Sequence, residues 1–344
     1  MKEADFKRIL EELDNCKRPL YFFHDDADGL CSFLQFYRYK REGKGVCVKS
    51  QPKVDERFFK VVKEYGPDKI FILDLAIIDE EFVDEFRKIP IVMVDHHGVL
   101  KVDRVKYFNP RKDNPKDNTC VSELCYHVIP GDDDLWIAAA GIVGDWQLSD
   151  VTKKFSSKHP ELLPAEVDRP EKALFGTPFS RLIKVLNFML KGPTQEVMKC
   201  VKIMTRVQGP YELLNSETSQ TKFIMKRFER INRLYAELMD YAVKKVGTSK
   251  LLLVRYQENK MSFSGELANE LLFKYPDKVV LVGREKSGEM KCSLRSGPNI
   301  NVRQALERAL SGINGRGGGH EQACGAVIPV EQFSTFIEQL KEQI

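Results

Sequence analysis

Over the first 150 residues, short unbroken apolar runs alternate with amphipathic stretches. The runs are LYFF (20–23), GVCVKS (45–50), KIFILD (69–74) and IPIVMVD (89–95). Between them, helical periodicity covers positions near 4–16, the stretch after Gly29, and positions near 55–65 and 79–88. Continuous apolar runs, as opposed to strict alternation, are what strands covered on both faces require. Strand–helix–strand order of this kind predicts an α/β domain with a doubly wound, mainly parallel sheet. Two further helices are predicted at 119–128 and 133–147, the second capped by the acidic run Asp132, Asp133 and Asp134.

From 151 to 220 the pattern turns helical, broken by HPELLPAEVDRP and by Gly-Pro pairs at 192–193 and 209–210. Residues 221–246 form the clearest helix, with Ile224, Phe228, Ile231, Tyr235, Leu238 and Ala242 on one face. Strands then return at KLLLVRY (250–256), KVVLVG (278–283) and EMKCSLRS (289–296). A turn at Ser287 and Gly288 makes the last two a hairpin. A helix near 301–310 leads to a glycine-rich loop, GRGGGHEQACG (315–325), and a helix at 330–343 ends the sequence. The expected domains are 1–190, a helical connector over 191–220, and a smaller α/β domain over 221–344.

Composition narrows the picture only a little. Basic residues number 54 against 50 acidic, so a nucleic-acid surface would have to be a local basic patch. No apolar window approaches a membrane span and no signal-like segment opens the chain, so a cytoplasmic protein without a membrane partner is expected. The eight cysteines form no CxxC pair and read as reduced thiols in or near the core.

Chemistry gathers at the ends of three predicted strands. LYFF runs into His24, Asp25, Asp26, Ala27 and Asp28; KIFIL ends at Asp74; IPIVMV ends at Asp95, His96 and His97. The carboxyl ends of parallel strands line the ligand crevice of such sheets, so these groups can converge there. One Asp after a strand is commonly just a helix cap. Three such ends, one with Asp-x-Asp and one with Asp-His-His, point instead to divalent cations, which resolve the mutual repulsion of gathered carboxylates. A mixed carboxylate and imidazole set suits manganese, and less exclusively magnesium, zinc or cobalt. Neighbouring histidines on an extended chain are expected to face opposite ways, one toward metal and the other toward substrate or toward the groups that position the ligands. Asp145 in AAAGIVGDW is a fourth candidate, since a carboxylate near a helix C-terminus is a mild cost without a cation.

Taken in order, FFHDDADGLCS, ILDLA, VDHHG and GIVGDW resemble the four motifs of the DHH phosphoesterase superfamily. CSLRS (292–296) and GRGGGHEQACGAV (315–327) resemble its associated second domain. The motif style is similar to that of archaeal RecJ-like proteins. The resemblance implies a catalytic domain and a substrate-binding domain, with the active site in the cleft between them. It implies a two-metal site holding Mn2+, with Mg2+ or Co2+ as substitutes. Asp26 and Asp28 would ligate one ion each, Asp74 would bridge, and His96 and Asp145 would complete one shell. Asp95 would orient the histidines and His97 would touch the scissile phosphate. Arg295, Gly317, Gly318, Gly319 and His320 would grip the substrate. Many members carry a ligand histidine four residues before the first motif Asp, where this chain has Phe22; His24, two before Asp26, is the candidate replacement.

The implied activity is stepwise hydrolysis of single-stranded DNA or RNA or short oligonucleotides, as in RecJ-like exonucleases and oligoribonucleases, with hydroxide generated at the metals as nucleophile. Small nucleotides, such as adenosine bisphosphate or dinucleotides, form the alternative substrate class. A catalytically silent replication scaffold is an alternative of another kind, and it predicts broken motifs, whereas every acidic position here is filled. A replication or repair protein partner and a homodimer are compatible with either.

Overall fold

The computed structural model describes residues 1–49, 52–257 and 261–344. Ser50, the last residue of the expected second strand, lies outside the described residues. The chain divides into two units, Met1–Phe228 and Glu229–Ile344.

The first unit runs α1 (Glu3–Asp14), β1 (Pro19–His24), α2 (Ala27–Lys40), β2 (Lys44–Val48), β3 (Lys53–Val54), α3 (Phe59–Tyr65), β4 (Lys69–Leu73), β5 (Ile77–Ile78), α4 (Glu80–Glu85), β6 (Ile91–Val94) and β7 (Val105–Phe108). It continues through α5 (Val121–Val128), α6 (Leu135–Gly144), α7 (Asp150–Lys158), α8 (Pro170–Gly176), α9 (Phe179–Met189), α10 (Thr194–Met204) and α11 (Pro210–Leu214). The division between units falls inside the long helix α12 (Ser219–Val243).

The main sheet has the order β2-β1-β4-β6-β7, every pair parallel. This is a doubly wound sheet whose strand order reverses between β1 and β4, the place where such folds hold ligands. Alternation along β1 sorts its side chains between two apolar layers. Leu20 and Phe22 join Ile70, Ile72, Val62 and Phe82 on the α3 and α4 side. Tyr21 and Phe23 turn the other way, where Tyr21 meets Phe71 and Phe23 stacks on Phe33 of α2 at 4.6 Å between centroids. The β7 strand was not expected; it is only four residues long and its Lys106 reaches Glu12 on the surface, so its periodicity is weak.

The second unit, after the end of α12, contains β8 (Leu251–Gln257), α13 (Ser264–Lys274), β9 (Val279–Lys286), β10 (Glu289–Arg295), α14 (Val302–Ala309), β11 (Arg316–Gly319), β12 (Ala323–Pro329) and α15 (Phe333–Lys341). Its sheet order is β11-β12-β10-β9-β8, antiparallel except for β8 and β9, which pair in parallel across α13. The β9–β10 hairpin turns at Ser287 and Gly288, both with positive φ (51° and 77°), as a tight two-residue turn requires. The glycine cluster is not a loop. Gly317, Gly318 and Gly319 lie in β11, paired to β12. A Cβ on Gly317 would meet the Gly325 carbonyl at 2.8 Å, and one on Gly319 (φ +146°) would meet the Ala323 carbonyl at 2.3 Å. Close strand approach therefore fixes those two glycines, while a Cβ on Gly318 would meet nothing.

All eight cysteines are free and buried. Among the described residues, no helix is long and apolar enough to cross a membrane.

Candidate metal centre

The end of β1 delivers the first donors. His24 follows Leu20 and Phe22 on one face of the strand, but the apolar core ends below it and its ring meets carboxylates. His24 Nδ1 lies 2.7 Å from Asp26 Oδ2 and 3.5 Å from Asp74 Oδ2. That nitrogen is sealed from solvent. Phe22, at the family's usual histidine position, instead packs its ring against Phe58 and Phe82.

Asp26 serves twice. Its Oδ1 caps α2 by accepting from the Gly29 amide at 2.9 Å, which leaves Oδ2 for His24. Asp28, in the first turn of α2, is buried, and its two oxygens accept from the amides of Ser122 (2.6 Å) and Val121 (2.9 Å). These amides open α5, so the positive end of that helix holds the carboxylate in place.

Asp74 follows β4 directly and is 2% exposed. Its φ of 56° puts it in the left-handed region, turning the carboxylate back over the strand ends. His96 Nε2 lies 3.4 Å from Asp74 Oδ1, while His96 Nδ1 faces the Asn118 carbonyl at 3.4 Å and Asp145 Oδ2 at 3.8 Å. His97 Nδ1 lies 2.7 Å from Asp95 Oδ1 and 3.9 Å from Asp74 Oδ1. The two histidines therefore do not face opposite ways. The strand ends at Val94, so alternation no longer applies, and the rings meet edge to face at 4.6 Å on the Asp74 side.

Asp95 is fully buried; its Oδ2 accepts from the His97 amide, the Tyr107 hydroxyl (3.2 Å) and Asn109 Nδ2 (3.3 Å). Asp145 terminates α6, and its Oδ2 accepts from Gln147 Nε2 at 2.8 Å. The acidic run before α6 does not cap it through its side chains. Asp134 instead pairs with Arg38 at 2.7 Å, and Asp132 accepts from Tyr126 and Lys154.

Among the described residues three donor groups result, each with ligand atoms within 4.8 Å of one another: His24, Asp26 and Asp74; Asp74, His96 and His97; Asp28, Cys120 and Asp145. Asp74 belongs to two of them. Cys120, Gln147, Asn118, Tyr107 and Asn109 were not singled out in the sequence, because they reach the site only through tertiary contacts. Arg295, Gly317, Gly318, Gly319 and His320 belong to the second unit. There Arg295 donates to Asn269 Oδ1 (2.6 Å) and to the Leu294 and Cys324 carbonyls.

The proton affinities show a site strained by its own charge. Burial drives the Asp28 carboxyl well above its ordinary range, and the charges of Asp74 and Asp145 add to it. Burial likewise pushes Asp145 up to about 7, with Asp74 and Asp26 adding against the pull of His96. Burial would lower His24 and His96, but the surrounding carboxylates raise them to about 11 and about 10. Burial would raise Asp74, yet the hydrogen-bonding histidines hold it below the usual carboxylate range. Without cations these groups must share protons to coexist. With Asp26, Asp28, Asp74 and Asp145 ionised and the imidazoles neutral, the formal charge is −4, which two divalent cations match. The buried His24 nitrogen, faced by carboxylate oxygens, and the oxygen–nitrogen donor set fit such ions.

Family models match both parts of the chain: the DHH family N-terminal domain over residues 20–143 and the DHHA1 domain over residues 243–344. The chain belongs to the DHH family. Its DHH match ends just short of Asp145, and the helices α7 to α11 lie outside both matches. Several solved structures share the fold of this DHH protein. RecJ of Thermus thermophilus in complex with Mn2+ is 17% identical with a TM-score of 0.70, covering 99% of this chain and 54% of that one. The chain thus spans about half the length of that relative. A pGpG-specific phosphodiesterase, PggH from Vibrio cholerae, is 13% identical (TM-score 0.51), covering 95% of this chain and 98% of that one. CDC45 from Entamoeba histolytica is 10% identical (TM-score 0.54), covering 99% of each chain. No curated protein sequence matches the chain significantly.

Proposed function

We propose that this DHH protein is a two-metal phosphodiesterase that cleaves single-stranded nucleic acid or short oligonucleotides stepwise, with manganese as its resident cation. The observation that carries this reading is Asp74, a carboxylate shared by two donor groups at the point where the strand order reverses. His24, Asp26, Asp28, Asp74, His96 and Asp145 would hold the ions. When bound, such ions polarise phosphoryl oxygens and lower the pKa of water, which supplies a nucleophile at neutral pH. The chain's own residues do the rest. Asp95 fixes the His97 ring through Nδ1, so His97 Nε2 is the atom free to meet the scissile phosphate and hold a proton for the leaving oxygen. Tyr107 and Asn109 keep Asp95 in place. Arg295, Gly317, Gly318, Gly319 and His320 would hold the substrate in the second unit.

The likeness to RecJ supports a strand substrate, and the near-equal length of PggH favours a second reading, a dinucleotide substrate. A catalytically silent scaffold is opposed by the filled donor positions. The test is hydrolysis of labelled DNA and RNA strands from two to about twenty nucleotides with Mn2+, a range that brackets single-strand site sizes. Wild-type protein should shorten the strands progressively, and Asp74→Asn should fall to background. Full activity in Asp74→Asn would remove the two-metal reading, and cleavage of dinucleotides alone would select the second substrate class.

A further inference from the structure

The helices outside both family matches carry a feature the metal centre does not use. Residues 191–228 contain seven basic and three acidic residues, a net +4 that equals the charge of the whole chain. Part of this charge is concentrated on one surface of the first unit. Lys199, Lys202 and Arg206 follow at three- and four-residue spacing along α10 and its end, all exposed. Facing them on α12 are Gln220 and Phe223, and together with Ile203 these residues line a cavity of about 340 Å³. Phe223 is 44% exposed, an unusual position for a phenylalanine between lysines. Among the described residues, no carboxylate is paired with Lys199, Lys202 or Arg206.

Arg206 also lines a second cavity of about 780 Å³, whose wall includes Arg41 and the rings of Tyr37, Tyr39 and Tyr126. The hydroxyls of Tyr39 and Tyr126 are committed to Asp14 and Asp132. Their half-buried rings are what the cavity sees. Of the acidic groups on its wall, Asp134 is neutralised by Arg38, which leaves Asp133 as the one opposing charge.

Cations and aromatic rings lining adjoining surface cavities are the chemistry that holds a single strand: the cations track phosphates and the rings stack bases without regard to sequence. A duplex keeps its bases paired inside and has no use for the rings. A charged helical face is ordinarily just solvated; the exposed Phe223 and the tyrosine rings set this one apart. The surface is also remote from the chemistry. Asp28 opens α2 and Arg38 lies near its far end, about 15 Å away along the helix axis. We propose that this surface is an exosite for single-stranded nucleic acid, gripping the part of the strand that is not being cleaved and making affinity grow with strand length. The inference rests on the strand reading of the substrate given above.

The test separates the two. Binding of fluorescein-labelled single strands of about twenty nucleotides, DNA and RNA in separate arms, is measured by anisotropy in EDTA, which silences cleavage. The triple variant Lys199→Ala, Lys202→Ala, Arg206→Ala should weaken binding at least about tenfold. Its salt dependence should become shallower by about two log units per log unit of salt, three lost phosphate contacts at the single-strand increment. Phe223→Ala should weaken binding about tenfold with the salt slope unchanged. A charge-matched control, Lys60→Ala, Lys63→Ala, Lys88→Ala, should bind as wild type does. In Mn2+, dinucleotide hydrolysis by the exosite variants should equal that of wild type, showing that they fold.

Equal losses in triple variant and control, no loss in the triple variant, or a wild type that binds no strand would each overturn the exosite; the last would point to an acidic protein as the occupant. If no phosphodiester is cleaved by any form while the triple variant still loses strand binding, the exosite stands and the enzymatic reading falls.

Discussion

Asp74 holds a backbone conformation that most side chains avoid, with φ at 56°, and such positions cost on the order of 1 kcal/mol or more. Asn tolerates that conformation and Ala does not. Asp74→Asn and Asp74→Ala should therefore be equally inactive, while Asp74→Ala should be the less stable by about 1 kcal/mol in urea unfolding with EDTA. Equal stabilities would mean the strain is relieved elsewhere. Asp95 acts one step back from the phosphate. Asp95→Asn should leave KM nearly unchanged and lower kcat by roughly 10–100-fold, the usual effect of losing an outer-shell partner; a change confined to KM would place His97 in binding instead. At this scale the sequence displayed the strand-end acids and histidines, because each follows its apolar run directly. It could not display Gln147, Asn109 or Cys120. Cys120 joins Asp28 from 92 positions away, and Gln147 holds Asp145 in place while also donating to the Asn118 carbonyl.

The elements that matter most are α2, α5 and α6, which carry Asp28, its amide clamp and Asp145. They meet with almost no spare volume. A Cβ on Gly141 of α6 would lie 2.0 Å from Ser122 Oγ and 2.8 Å from the Cys31 Cβ. Gly141→Ala should destabilise the protein by about 1–3 kcal/mol. It should also weaken Mn2+ binding in calorimetry, because Ser122 supplies both an amide to Asp28 and the obstructed hydroxyl. Loss of stability with unchanged Mn2+ affinity would show that the clamp tolerates helix displacement. The parallel sheet was readable because its strands are dense apolar runs. The strands and helix that escaped notice lack that density. The β11 strand is Arg-Gly-Gly-Gly, β12 alternates small residues with apolar ones, and the α13 periodicity is interrupted by Gly265 and Asn269. Their structure comes from pairing and covering by neighbours, which a single sequence does not reveal.

Across the whole molecule, the charge crowded into the metal centre links folding to pH. In the absence of cations, Asp145 titrates near 7, above its unfolded value, so the folded state holds a proton the unfolded state has already released. Its contribution is therefore present below about pH 4 and is lost as pH rises toward 7. His24 and His96, raised to about 11 and about 10, contribute stability below their unfolded value near 6.5 and lose it as pH rises. All three signs agree between pH 5 and 8. In EDTA, Tm should fall across that window, and Mn2+ should raise Tm more at pH 8 than at pH 6, because the metal takes the place of protons. A stabilisation by Mn2+ that shrinks with pH would contradict this linkage. The eight enclosed thiols turn the same molecule into its own stopwatch. With every sulfur shut away from solvent, an alkylating reagent can mark only those that a local opening uncovers. Chelation should hasten the labelling of Cys120, beside Asp28 and Asp145, ahead of Cys292 in the sheet of the second unit, so mass spectrometry of the tagged peptides would reveal which region loosens first.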